Sequence, residues 1–137
     1  MKSFNDFNNI QDQLKRLGLQ ETVTMLGFSS NPYPYLKKAD FYVMSSRHEG
    51  FPTIIAEALI LNKPVSATDI SGIRDLLQDG RLGNITPNSD EGIYEGMKKF
   101  LTDENIAEDY KSQIAKTELP FVLEKSVEHL QKIIDEV

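Results

Sequence analysis

Between residues 45 and 61 the chain reads Ser45-Ser46-Arg47-His48-Glu49-Gly50-Phe51-Pro52-Thr53, then Ile54-Ile55-Ala56-Glu57-Ala58-Leu59-Ile60-Leu61. Polar and charged residues crowd into a short loop, and one carboxylate follows inside an apolar run. A carboxylate among apolar side chains is costly unless it is hydrogen-bonded, so Glu57 demands donors. Side chains on a helix lean towards its N-terminus, which carries Glu57 back towards Gly50. There its two oxygens suit a pair of hydroxyls such as those of a ribose. Gly50 permits close approach of a ligand to the backbone, Pro52 suits a first helical turn, and Thr53 adds a hydroxyl. The N–H groups at such a helix start favour phosphate or diphosphate. Diphosphate at the helix start and ribose on Glu57 together describe a nucleotide-sugar pocket, with Glu49 at the strand mouth facing the sugar.

Each of these residues also has a plainer reading. The eight-residue step from Glu49 to Glu57 carries no information alone, because the chain holds 11 Glu and repeats that step at Glu128 and Glu136. Glu57 also fits a salt bridge with Arg47 or a plain edge residue, and Glu49 a solvated loop carboxylate. His48 reads as a polar loop residue and His129 as a surface residue. Tyr33, Tyr35, Phe41 and Tyr42 read as packing aromatics, while Phe28 is placed to flank a base.

The elements that must position this loop alternate. Residues 5–17 carry Phe7, Ile10, Leu14 and Leu17 at helical steps, and Gly18 ends the stripe. Short apolar runs at 23–28, 40–46, 64–68 and 82–86 read as strands, the second buried on both faces as parallel sheets require. Between and after them, residues 32–39, 53–61, 72–80, 89–101 (with Ser89 as N-cap), about 103–117 and 120–136 read as helices. Strands separated by helices make parallel βαβ units. The expected fold is an open α/β parallel sheet of about four strands with flanking helices, a single domain over 1–137. In such sheets ligands bind at the carboxyl ends of the strands, which selects the loops after Phe28, Ser46, Thr68 and Thr86. Only the second is rich in chemistry. A small sheet that opens on a polar helix also suggests a piece of something larger, shortened on its N-terminal side.

Composition removes several function classes. Cys is absent, which excludes disulfide scaffolds, Cys-based zinc sites and Cys nucleophiles. The net charge of −6 lies wholly in residues 71–137, residues 1–70 being neutral. A nucleic-acid binder needs a basic face, and Lys37–Lys38 and Lys98–Lys99 are only pairs. No apolar run approaches the roughly 20 residues of a membrane span and no basic-then-apolar leader opens the chain, so it reads as soluble and cytoplasmic.

The stretches VTMLGF, YLKKADFYVMSSRHEGFPTIIAEAL and NKPVSATDISGIRDLLQDGRLG, spread over roughly residues 15–101, resemble the C-terminal half of retaining GT-B enzymes of the "glycosyl transferases group 1" family. The resemblance implies the Rossmann-like, donor-binding half of a GT-B fold. It implies transfer of a sugar from a nucleoside diphosphate sugar to a hydroxyl with retention, as in polysaccharide biosynthesis. The Glu-x7-Glu motif of such enzymes falls on Glu49, which would contact the donor sugar, and Glu57, which would bind the ribose. The backbone around Ser46, Arg47, Gly50, Phe51 and Pro52, with Thr53, would hold the diphosphate or sugar hydroxyls.

There are departures from that pattern. The strand-and-loop region whose Arg and Lys usually neutralise the diphosphate does not precede the first helix, and Pro52 stands where a second glycine is frequent. The acceptor-binding domain is not in these residues. The implied partners are the nucleotide-sugar donor and that missing N-terminal domain, with peripheral membrane association open. No cofactor is implied. No Asp-x-Asp pair occurs, so the metal-chelating alternative of the other large transferase fold has no support and metal independence is expected. The chain alone is expected to be inactive.

Two other classes share the architecture. A sugar-nucleotide epimerase or a phosphorylase is one, but Lys63 precedes its strand and lies at the wrong edge for a Schiff base. A flavodoxin-like regulatory module is the other, but Asp40 starts a strand and Asp69 lacks acidic neighbours.

Overall fold

The computed structural model describes residues 4–119 together with residues 132, 133 and 135. Apart from those last three positions, the helix expected at 120–136 lies outside the described residues. The chain divides into two compact units, Met1–Pro32 and Tyr33–Val137.

In the first unit, α1 (Phe4–Arg16) forms on the apolar stripe, with Phe7 and Leu14 half-buried. Gly18 stops it as the sequence suggests. Its φ is +66°, its N–H donates to Lys15 O at 3.1 Å, and the Leu19 N–H donates to Leu14 O at 2.9 Å. That is the paired closure of a glycine-terminated helix.

The strand expected at 23–28 does not form. No ladder pairs these residues among the described ones; Gly27 turns left-handed at φ +69°, and Phe28 stands 95% exposed. A strand is held by its neighbours, and among the described residues of its unit this segment has none.

The second unit carries the sheet. Its elements are α2 (Tyr33–Lys38), β1 (Tyr42–Met44), α3 (Thr53–Ile60), β2 (Val65–Thr68), α4 (Ile73–Leu76), β3 (Asn84–Thr86), α5 (Asp90–Thr102) and α6 (Ile106–Ala115). The order is β1-β2-β3, all parallel, with Tyr42 opposite Val65 and Ser66 opposite Asn84. Among the described residues the sheet therefore has three strands rather than four. β1 is shorter than expected because pairing covers only Tyr42 to Met44, and with β2 on one edge alone Tyr42 and Val43 stay half-buried.

β2 is central, and all four of its residues are buried. Its hydroxyls are satisfied. Ser66 Oγ accepts from Asn84 Nδ2 at 3.1 Å, and Thr68 Oγ1 donates to Ser46 O at 2.6 Å. The core gathers Ile55, Ala58 and Leu59 of α3 with Val65, Ala67, Ile73, Leu77 and Leu82. Behind the sheet, α5 lies so close that a Cβ on Gly96 would sit 2.5 Å from Ser66 Oγ. Phe100 of α5 stacks on Phe41 at 4.8 Å between ring centroids.

α3 closes at Asn62, whose φ is +54°. Its N–H donates to Leu59 O, and the Lys63 N–H to Ala58 O. That closure sends the chain directly into β2. Helices joining parallel strands run back against them, so the starts of α3, α4 and α5 collect at the carboxyl edge of the sheet.

Candidate functional site

At that edge three loops are tied together. The β1–α3 loop holds Ser46, Arg47, His48, Glu49, Gly50 and Phe51. Its Ser46 carbonyl is held by Thr68 from the end of β2, and its Arg47 carbonyl accepts from Asn88 Nδ2 at 3.1 Å in the β3–α5 loop. The Asp69 N–H donates to Thr86 O at 2.8 Å, joining the ends of β2 and β3. Buried Pro52 packs where a Cβ on Gly72 (φ +84°) would come within 3.8 Å of its Cδ.

The side chains fall into two groups. In the first, Ser46 Oγ donates to Glu49 Oε1 at 2.7 Å, which orients an otherwise exposed carboxylate. Glu57, half-buried on α3, accepts from the Tyr33 phenol at 2.9 Å through Oε1. Burial and then the hydrogen bond and charge of Glu57 push the Tyr33 phenol up to about 12, so it stays a donor across the neutral range. The Tyr42 phenol is likewise raised, first by burial and then by the fields of Glu49 and Glu57. Both carboxylates therefore bear on one region at the edge of β1.

The second group faces α5. Arg47 forms an ion pair with Asp90 and donates to Asn88 Oδ1 at 3.4 Å. Asp90 is the first residue of α5, behind the N-cap Ser89, whose Oγ accepts from the Gly92 N–H at 3.0 Å. Arg47 is thus engaged with α5, and Glu57 takes its hydrogen bond from Tyr33. On the neighbouring loop Arg74 grips Asp69 with two nitrogens, at 3.1 and 2.5 Å.

The start of α3 differs from a bare helix end. No side chain caps it, the Thr53 N–H donates to Phe51 O at 2.9 Å, and the Ile55 N–H donates to Pro52 O at 3.0 Å. Among the described residues no backbone acceptor meets the N–H of Gly50 or of Phe51. The donors left for an anion thus include loop N–H groups ahead of the helix together with that of Ile54 in its first turn. A Cβ on Gly50 would meet nothing within 4 Å, so that stretch of backbone opens on unfilled space. Thr53 and His48 are exposed, and Phe51 is 59% exposed.

Tyr33 is the residue that sequence reasoning passed over. Read as a packing aromatic, it is the hydrogen-bond donor that Glu57 demanded. The usable signal was the demand itself, together with a tyrosine at the start of the helix that leads into β1. Chemically, the edge offers two oriented carboxylates, backbone N–H groups that include those of Gly50 and Phe51, and neighbouring hydroxyls. That inventory suits a polyhydroxylated, phosphorylated ligand. Among the described residues no cluster of metal-ligating side chains occurs, and no helix is long and apolar enough to cross a membrane.

Comparison with known proteins places this edge in context. The chain is 36% identical over 106 residues to the N-acetylgalactosamine-N,N'-diacetylbacillosaminyl-diphospho-undecaprenol 4-alpha-N-acetylgalactosaminyltransferase of Campylobacter jejuni, covering 76% of this chain and 29% of that protein. It is 29% identical over 87 residues to the capsular polysaccharide biosynthesis glycosyltransferase CapM of Staphylococcus aureus, covering 63% of this chain and 23% of that protein. Among solved structures it superposes on a glycosyltransferase from Rickettsia africae with a TM-score of 0.67 at 22% identity, covering 97% of this chain and 38% of that one. For the structure of TarM the TM-score is 0.68 at 23% identity, covering 90% of this chain and 26% of that one. The chain thus spans less than a third of the length of these two curated relatives. Its architecture is the Rossmann-like half of a GT-B fold. Residues 4–117 match the family described as glycosyl transferases group 1, and the chain belongs to that family.

Proposed function

We propose that these residues form the donor-binding part of a glycosyltransferase that moves a sugar from a nucleoside diphosphate sugar to a hydroxyl with retention of configuration. The observation that carries this reading is Glu57, a half-buried carboxylate in an apolar helix with one oxygen held by Tyr33 and the other without a hydrogen bond among the described residues. Its open oxygen receives the ribose hydroxyls. The N–H groups of Gly50 and Phe51 take the diphosphate, with Ser46, Pro52 and Thr53 shaping the same wall. Glu49, oriented by Ser46, meets the sugar.

When the bond between the anomeric carbon and the diphosphate oxygen breaks, the electron pair stays on the diphosphate. Fixed N–H dipoles stabilise that growing charge without reorganising. The reading assigns the diphosphate's charge to those backbone dipoles rather than to a metal. Arg47 acts from the rim, its charge shared with Asp90. Acceptor recognition belongs to a separate domain of such enzymes, so these 137 residues on their own bind donor without transferring sugar. The work is done on the cytoplasmic side, by an enzyme in peripheral contact with the membrane, and its product class is a surface polysaccharide, as the name of CapM suggests for that relative.

Calorimetry with a nucleoside diphosphate tests the reading. The native chain should bind weakly and Glu57→Ala should abolish the heat. Equal binding by both proteins rejects the ribose role.

A further inference from the structure

Glu57 lies eight residues beyond Glu49 on a rigid helix, yet its carboxylate is a flexible group whose aim is not fixed by the backbone alone. The contact at 2.9 Å from Tyr33 reaches it across 24 residues of sequence. Tyr33 begins α2 and Glu57 lies one turn into α3, so this hydrogen bond joins the two helices. An ionised carboxylate accepts at about four lone-pair positions. A donor fixed at Oε1 occupies one of them and arrests rotation about the last side-chain bond.

We infer that Tyr33 is a positioning residue of the donor site, its phenol holding Glu57 so that the carboxylate selects the ribose 2′-hydroxyl. This rests on the donor-site reading above. Tyr33 touches no reacting atom; it acts through Glu57. Removing its oxygen leaves the charge and the helix in place but lets the carboxylate swing and hydrate. The loss should therefore fall on the ligand that uses the 2′-hydroxyl and spare one that lacks it. A purely structural role would weaken both ligands alike.

The experiment compares uridine diphosphate with 2′-deoxyuridine diphosphate, and the guanosine pair beside them, on the native chain, Tyr33→Phe and Glu57→Gln, with Kd read from titrated amide shifts. The native chain should prefer the ribonucleotide by about tenfold or more, the scale of a hydrogen bond to a charged group. In Tyr33→Phe that preference should shrink by about threefold or more, with the deoxyribonucleotide Kd changed by less than about twofold. A retained preference, or an equal loss for both ligands, overturns the inference. No preference in the native chain, or the same preference in Glu57→Gln, overturns the donor-site reading and the inference with it. A second measurement does not depend on ligand. In chains with ring-labelled tyrosine, the Tyr33 phenol should titrate lower in Glu57→Gln than in the native chain. Identical titration in the two would mean that the contact is absent and would overturn the inference as well.

Discussion

A single hydroxyl decides how Glu49 is presented. Ser46 Oγ holds Oε1 at 2.7 Å, so the carboxylate is aimed although its side chain is exposed. Glu49→Gln keeps the shape and removes the charge. It should leave nucleoside diphosphate affinity within about twofold and weaken the nucleotide sugar by about tenfold, as expected for loss of a hydrogen bond to a charged group. Calorimetry with both ligands reads the difference, and equal losses would take Glu49 off the sugar. The tyrosines set a pH dependence at the same scale. The folded Tyr33 phenol, at about 12, lies above its ordinary 10.0, so the fold favours the protonated form. Its contribution is complete below pH 10 and is lost as pH rises towards 12. Thermal denaturation should show a fall in Tm across that interval that is shallower in Tyr33→Phe; superimposable profiles would remove Tyr33 from the account. Much of the site was legible at this scale, because an isolated carboxylate in Ile54–Leu61 announces itself by its cost. The partners were not. Tyr33 is 24 residues from Glu57 and Asp90 is 43 from Arg47, and no local period relates residues so far apart.

Elements were legible where the chain supplies its own closure. Gly18 ends α1 and Ser89 caps α5 as their types suggest, since both act on backbone groups within five residues. The stretch 23–28 forms no strand because its apolar composition states a preference for burial without supplying a neighbour, and no described residue of its unit pairs with it. Two glycines separate packing from binding. Gly96 of α5 sits where a Cβ would lie 2.5 Å from Ser66 Oγ and 2.6 Å from Thr86 Cγ2. Alanine gains about 1 kcal/mol of helix propensity there, but lifting α5 off the sheet costs about 1–3 kcal/mol. Gly96→Ala should therefore lower or at best hold Tm, and Gly96→Val, which pushes further into β2 and β3, should lower it by several degrees. Gly50→Ala places its methyl in open space. Its Tm should match the native value, and its nucleoside diphosphate affinity should fall because that methyl enters the ligand's path. Scanning calorimetry and a binding titration on the same samples distinguish the two, and a destabilised Gly50→Ala would mean that the loop is packed rather than open.

At the scale of the whole molecule, charge and chemistry pull in opposite directions. The chain carries −6 and its ligand is proposed to be an anion. The cations nearest the edge are already committed, Arg47 to Asp90 and Arg74 to Asp69. Attraction for a diphosphate then comes from N–H dipoles at hydrogen-bond range, while the net field repels it from further away. Salt screens the second and not the first, since the screening length is about 10 Å at 0.1 M. Raising NaCl from about 20 to about 500 mM should therefore leave the Kd of a nucleoside diphosphate unchanged or tighten it modestly, by about threefold at most. A site built on free lysine or arginine would weaken steeply over the same range. Asp90→Asn sharpens the test, because it releases Arg47 at the rim of the loop. That variant should bind the diphosphate more tightly at low salt and lose the advantage as salt rises. If the native chain already weakens about tenfold with salt, Arg47 leaves Asp90 to hold the phosphate itself, and the dipole account of the anion site fails.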